Sequence, residues 1–168
     1  MIDSKVVDAL NKQINQEMAA SYHYYAMSAH FESKNLGGFA SWMMVQRNEE
    51  LAHADRLYRY VLDRGGEVEL QAIEKPRTEF SSIREVFQFA FETEKANTQS
   101  INELYTLAKS VNDYATLSHL QWFIDEQVEE EKTFDDALAL IDMAGDDGSA
   151  LILLNEKLGT RQVAPQVE

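Results

Sequence analysis

The stretch FASWMMVQRNEELAHADRLYRY, residues 39–60, decides the fold. Phe39, Trp42, Gln46, Glu50, His53, Leu57 and Tyr60 recur in it at steps of three and four, the spacing of one helix face. In the middle of that face, where a leucine would ordinarily stand, are Glu50 and His53. A carboxylate taken out of water without a partner is strongly destabilising, so a Glu on such a seam calls for a compensator.

Working outward, three more long seams appear. The first helix begins near Asp3–Ser4, both good N-caps, and runs to about residue 34. Its seam is Val7, Leu10, Ile14, Glu17, Ser21, Tyr24, Ser28 and Phe31, and Asn35-Leu36-Gly37-Gly38 breaks it. The second helix, about 39–64, stops at Gly65-Gly66. The third, about 82–110, opens on a Ser82–Glu85 capping box and carries Ile83, Phe87, Ala90, Glu94, Asn97, Ile101, Leu104 and Ala108. Asn112-Asp113 caps the fourth, about 113–144, with Leu117, Leu120, Ile124, Gln127, Glu131, Phe134, Leu138 and Ile141 on its seam. A short fifth helix, about 149–158, follows Gly145–Gly148, and the tail after Gly159 is expected to fray. The segment 65–80, with Pro76, has no clear period and is long for a bundle connection. It can run the length of the bundle, which makes the second and third helices parallel.

Composition agrees. The 168 residues suit one domain spanning 1–168, and two prolines with seven glycines leave room for long helices. The net charge of −14 disfavours nucleic acid as a partner. It suits either a solvated acidic surface or the gathering of cations. With no cysteine, disulfides, thiolate zinc sites and iron–sulfur clusters are excluded. No stretch approaches the ~20 apolar residues of a membrane span, and the N-terminus lacks a signal-type apolar core, so no membrane contact and a cytoplasmic location are expected.

The chemistry sits in a doubled spacing. Glu17 to Glu50 is 33 residues, and three more reach His53; Glu94 to Gln127 is again 33, and three more reach Glu130. Residues at i and i+3 share a helix face, so each pair can aim at one spot. A Glu from each of two helices plus a Glu-x-x-His pair from the others is the di-iron carboxylate pattern. The first half matches it; the second has Gln127-x-x-Glu130 instead. Oxygen-rich ligation with one imidazole suits iron or manganese better than copper, and zinc also accepts such donors.

With these motifs, including Glu49-Glu50-Leu51-Ala52-His53 and Gln121 to Glu131, the chain resembles the bacterial non-haem ferritins from about residue 1 to 160. The resemblance implies an all-α, ferritin-like four-helix bundle of two antiparallel hairpins joined by a long crossover, plus a short fifth C-terminal helix. It implies iron storage with ferroxidase activity: Fe²⁺ is oxidised by O₂ or peroxide and deposited as ferric mineral in a hollow cage of 24 subunits. By the same resemblance Glu17, Glu50 and His53 hold one iron, with Glu50 bridging, and Glu94 and Glu130 hold the second. Gln127 lines the site. A third iron position would use Glu49, Glu126, Glu129 and Glu130, although Glu49 and Glu126 read by themselves as surface charge.

Tyr24, two turns after Glu17 on the same face, is implied to be a redox-active tyrosine, with Trp122 a second donor weighed evenly against core packing. His23, Tyr25, His30 and His119 receive no role, and Met18, Met27, Met43 and Met44 read as core filler. Bacterioferritins are similar but ligate haem through a methionine beside the second-helix glutamate; that neighbour here is Leu51, so no haem is expected. Animal ferritins line their three-fold channels with acidic residues where this chain has Leu117 and Leu120, so iron is expected to enter elsewhere. Two rival readings remain: a di-metal carboxylate oxidase acting on an organic substrate, and a non-catalytic bundle with chance carboxylates.

Overall fold

The computed structural model describes residues 2–162; Pro165 and the rest of the tail from 163 on lie outside the described residues. Five helices follow in order: α1 (Ser4–Glu32), α2 (Gly37–Asp63), α3 (Ile83–Ser110), α4 (Tyr114–Ala144) and α5 (Gly148–Leu158). Asp3, Ser82, Asp113 and Asp147 cap the starts of α1, α3, α4 and α5 with side-chain oxygens that accept backbone N–H groups. The Glu85 carboxylate does reach back, but it accepts from the backbone N–H of Ser81 rather than of Ser82. Both short connections turn on an asparagine in the left-handed region, Asn35 at φ 58° and Asn112 at φ 57°. Gly37 and Gly38 do not break the chain; they form the first turn of α2, where the backbone N–H groups need no helical acceptor.

The short connections fold α1 onto α2 and α3 onto α4 as antiparallel pairs. The path of the long connection is fixed by α1. Asn11 donates to the Glu67 carbonyl and Asn15 to the Glu69 carbonyl, both at 2.9 Å, near the start of α1. Further along, the His30 ring lies 3.3 Å from the Thr78 carbonyl, at the helix end. The segment therefore travels the length of the bundle, and α3 runs parallel to α2. Phe80 ends it by packing into the core beside Phe89.

The core is in two parts. One contains Met27, Phe31, Phe39, Trp42, Phe87, Phe134 and, from α5, Leu154. The other contains Val6, Leu10, Ile14, Leu57, Val61, Ile101, Leu104, Leu120 and Phe123. The polar positions of all four long seams lie between them in sequence. Several seam positions shift by one residue. Val6 is buried and Val7 only partly so; Thr116, Phe123 and Glu130 are buried in place of Leu117, Ile124 and Glu131. Leu120 is fully buried among apolar side chains, so it faces the bundle interior. Met27 and Met43 are core residues, while Met18 and Met44 are half-buried.

Candidate metal centre

Between the two apolar clusters, Glu17 from α1, Glu50 and His53 from α2, Glu94 from α3, and Gln127 and Glu130 from α4 are all buried. Atoms of Glu17, Glu50 and His53 lie within 4.8 Å of one another, close enough to share an ion. Among the described residues a second such group is His53, Glu126 and Glu130. The imidazole stands between the two: Nδ1 is 3.6 Å from Glu50 Oε2 and Nε2 is 4.0 Å from Glu126 Oε1. Neither oxygen of Glu50 and neither nitrogen of His53 has a hydrogen-bond partner, although all are buried. Orphaned buried polar atoms are rare because each loses its water for nothing, and here four converge. A divalent cation would satisfy them together.

Around these free atoms the neighbours are held firmly. Gln13 donates to Glu17 Oε1 at 2.8 Å and Asn97 to Glu17 Oε2 at 2.9 Å. The Ser100 hydroxyl fixes the other end of Gln13 at 2.6 Å. Glu94 is turned toward the Tyr24 hydroxyl, which donates a short hydrogen bond to it, and toward the Gln127 amide at 3.4 Å. That grip explains why Glu94 belongs to neither ligand group. Gln127 also donates to Thr98 at 3.1 Å. Gln46 donates to Glu130 Oε2 at 2.9 Å.

The packed carboxyls resist ionisation. Burial, then the charges of Glu94, Glu17 and Glu130, push Glu50 well above the usual carboxylate range. Burial raises Glu94 to about 7, with the Tyr24 hydrogen bond working against it. Burial, then Glu94 and Glu49, raise Glu130 to about 8. The Tyr24 phenol is raised well above its ordinary value, first by burial and then by Glu94 and Glu50, and so stays protonated as a donor. These groups hold protons that a metal ion would replace.

The remaining residues separate clearly. Glu49 is buried and paired with Arg161 at 2.9 Å, Glu126 is partly exposed, and Glu129 is exposed and in neither ligand group. Trp122 meets His53 edge-on at 5.4 Å between ring centres, under the Arg56 guanidinium at 4.2 Å. Tyr25 is exposed and His23 packs on Phe89; His119 stacks on Tyr60 at 3.9 Å. Sequence reasoning missed Gln13 and Arg161, and gave Gln46 and Asn97 no task beyond filling a seam. One signal was present: Gln13 and Gln46 stand four residues before Glu17 and Glu50, on the same helix faces.

An all-helical bundle with buried carboxylates from four helices and an imidazole at one level is the arrangement in which carboxylate-rich helical bundles hold metal ions. The comparisons agree. Residues 7–144 match the model of the ferritin-like domain. The chain is 39% identical over 161 residues to the bacterial non-heme ferritin of Staphylococcus aureus strain MRSA252, covering 96% of this chain and 97% of that one. It is 40% identical over 166 residues to that of Staphylococcus epidermidis, covering 99% and 100%. Among solved structures, an open pore ferritin from the archaeon Archaeoglobus fulgidus superposes with TM-score 0.95 at 41% identity, covering 96% of this chain and 99% of that one. An engineered closed form of the same ferritin gives TM-score 0.96 at 41% identity, covering 98% and 100%. The chain belongs to the ferritin family.

Proposed function

We propose that this protein is an iron-storage ferritin of the bacterial non-haem type. It oxidises Fe²⁺ to Fe³⁺ with O₂ or hydrogen peroxide at a paired centre within each subunit. It then deposits the ferric product inside a cage of 24 subunits in the cytoplasm. The observation that carries this is the convergence of orphaned, buried Glu50 and His53 atoms with Glu17. Glu17, Glu50 and His53 hold one Fe²⁺, and Glu94, Glu130 and Gln127 serve the second, with Glu50 between them. Each Fe²⁺ gives one electron, so two ions side by side supply the pair that reduces O₂ to hydrogen peroxide as two protons are taken up.

The chain's own part is positioning and charge. Anionic oxygens favour Fe³⁺ over Fe²⁺ in a site shielded from water. Gln13 and Asn97 fix Glu17 beforehand, and the Tyr24 hydroxyl steadies Glu94 and stands within reach to donate. Glu49, Glu126, Glu129 and Glu130 hold a third ion toward the inner surface. No haem is used, because Leu51 stands beside Glu50 where a haem-ligating sulfur would be needed. No described helix is long and apolar enough to cross a membrane.

The test is anaerobic Fe²⁺ titration followed by measured O₂ uptake, with sedimentation of the particle. We expect two tight Fe²⁺ per chain, loss of both binding and O₂ uptake in Glu50→Ala, and a particle near 24 subunits that loads far more iron than its binding sites account for. A small dimer holding only a few ions per chain would sink the storage reading.

A further inference from the structure

Arg161 is the feature that the centre's chemistry leaves unexplained. It follows α5, beyond the Gly159 turn. α5 is held against the start of α2, where Asn155 accepts the Phe39 backbone N–H at 3.0 Å. From there the chain lays Arg161 along one stripe of α2. Its guanidinium sits 4.8 Å above the Trp42 ring, donates to Gln46 Oε1, and donates to Glu49 Oε2 at 2.9 Å. Trp42, Gln46 and Glu49 are four and three residues apart, one turn each, so a planar fork spans them where a lysine could not.

The far side of Gln46 matters as much. Its amide nitrogen donates to Glu130 Oε2 at 2.9 Å. Glu130 in turn belongs to the group with His53 and Glu126. One guanidinium therefore ties Glu49 directly, and Glu130 through a single amide. Its charge also works against the upward push on Glu130.

We propose that Arg161 is a tethered cation that occupies the Glu49 side of the third-ion position in the metal-free protein and must withdraw before a third divalent ion binds there. This rests on the assignment of Glu49, Glu126, Glu129 and Glu130 to that ion. Two cations cannot share the Glu49 carboxylate without mutual repulsion, so ion and guanidinium compete. Competition is reciprocal: the ion frees the arm, and holding the arm weakens the ion. The end of α5 thus reports the loading of the third-ion position.

The test uses the assembled full-length protein and Zn²⁺, which is redox-silent and accepts oxygen and imidazole donors. Calorimetry on the wild type should give two tight events and one weaker event that Glu129→Gln removes. In Arg161→Gln the weaker event should tighten about fivefold or more, at the low end of ordinary site coupling, while the tight events move less than about twofold. Amide exchange at residues 159–162 of the wild type, which needs no variant, should speed up on Zn²⁺ saturation. A weaker event unchanged or further weakened in Arg161→Gln, or an arm that becomes more protected with Zn²⁺, overturns the role of Arg161 alone. A third event insensitive to Glu129→Gln, or none at all, overturns the third-ion assignment and the proposal with it.

Discussion

Glu17 has both oxygens engaged before any ion arrives, by Gln13 at 2.8 Å and Asn97 at 2.9 Å. Groups that orient a ligand typically change metal affinity by 10- to 100-fold when removed, because the free carboxylate must then be ordered at the moment of binding. Asn97→Ala should weaken the tighter Zn²⁺ event by about tenfold or more in calorimetry, and lower metal-free stability by about 1–3 kcal/mol through the orphaned Glu17 oxygen. An unchanged affinity would mean that Asn97 only fills space. Tyr24→Phe tests the other half of the centre. The ring keeps its stacked contact with Phe134, 6.1 Å between centres, but Glu94 loses the hydrogen bond that restrains its upward shift. Its proton becomes harder to displace. Zn²⁺ binding at pH 6.5 should weaken several-fold, and the loss should shrink toward pH 9, where Glu94 is ionised either way; equal loss at both values argues against the mechanism. These residues also mark the limit of reading by pattern. Glu17, Glu50, His53 and Glu94 stood out because a charge on an apolar seam is anomalous. Gln13 did not, because a buried amide beside Ile14 is indistinguishable in sequence from a surface one.

At the scale of the element, α4 shows why a correct helix can be read with the wrong flank. Leu120, Gln127, Phe134 and Ile141 recur every seven residues and are all buried. The intervening core position falls either three residues on, at Phe123, Glu130 and Ala137, or four residues on, at Ile124, Glu131 and Leu138. Both sets are chemically alike at each place, so the pattern cannot choose. Packing chooses the first, with Leu138 also buried, in the apolar cluster that includes Leu154 of α5. The attachment of α5 was equally hidden, since it depends on a close approach rather than a period. A Cβ added at Gly38 would lie 1.7 Å from the Asn155 carbonyl oxygen, which is backbone and cannot swing aside. Leu154 is the one α5 residue that is buried, so little apolar burial opposes release. Gly38→Ala should leave the helical content of α1–α4 intact but free α5, at about 1–3 kcal/mol or more. Limited proteolysis would then cut between 145 and 160 in the variant and spare the wild type; matching digests would refute the argument.

For the whole molecule, the polar layer sets how stability depends on pH and on metal. Glu94 at about 7 and Glu130 at about 8, with Glu50 also raised, compare with 4.5 for an ordinary Glu. Between those values the folded protein binds more protons than the unfolded chain. Their contribution is therefore fully present below about 4.5 and is lost as pH rises through about 7 to 8. His119 acts in the opposite window: burial, then Arg56, lowers it from 6.5 to about 4, so its contribution is lost as pH falls through that range. The three raised carboxyls outweigh the one lowered imidazole, so metal-free stability should be highest near about pH 4.5 to 5 and decline from there toward pH 8.5. For Glu94 alone, holding the charge inside costs on the order of 3 kcal/mol above pH 8. Divalent ions remove this penalty by taking the place of the protons. At a free Zn²⁺ concentration of about 100 times Kd, binding should add about 2.7 kcal/mol per site, and the affinity itself should rise from pH 6 to 8.5. Calorimetry in buffers of different ionisation enthalpy should find proton release near pH 7 that fades above pH 8.5. Thermal unfolding with and without Zn²⁺ across the same range should show the stability gap widening with pH. A metal-free protein equally stable at pH 6 and 8.5 would mean that the buried carboxylates are already ionised and paired, and that the centre does not hold the protons a metal would displace.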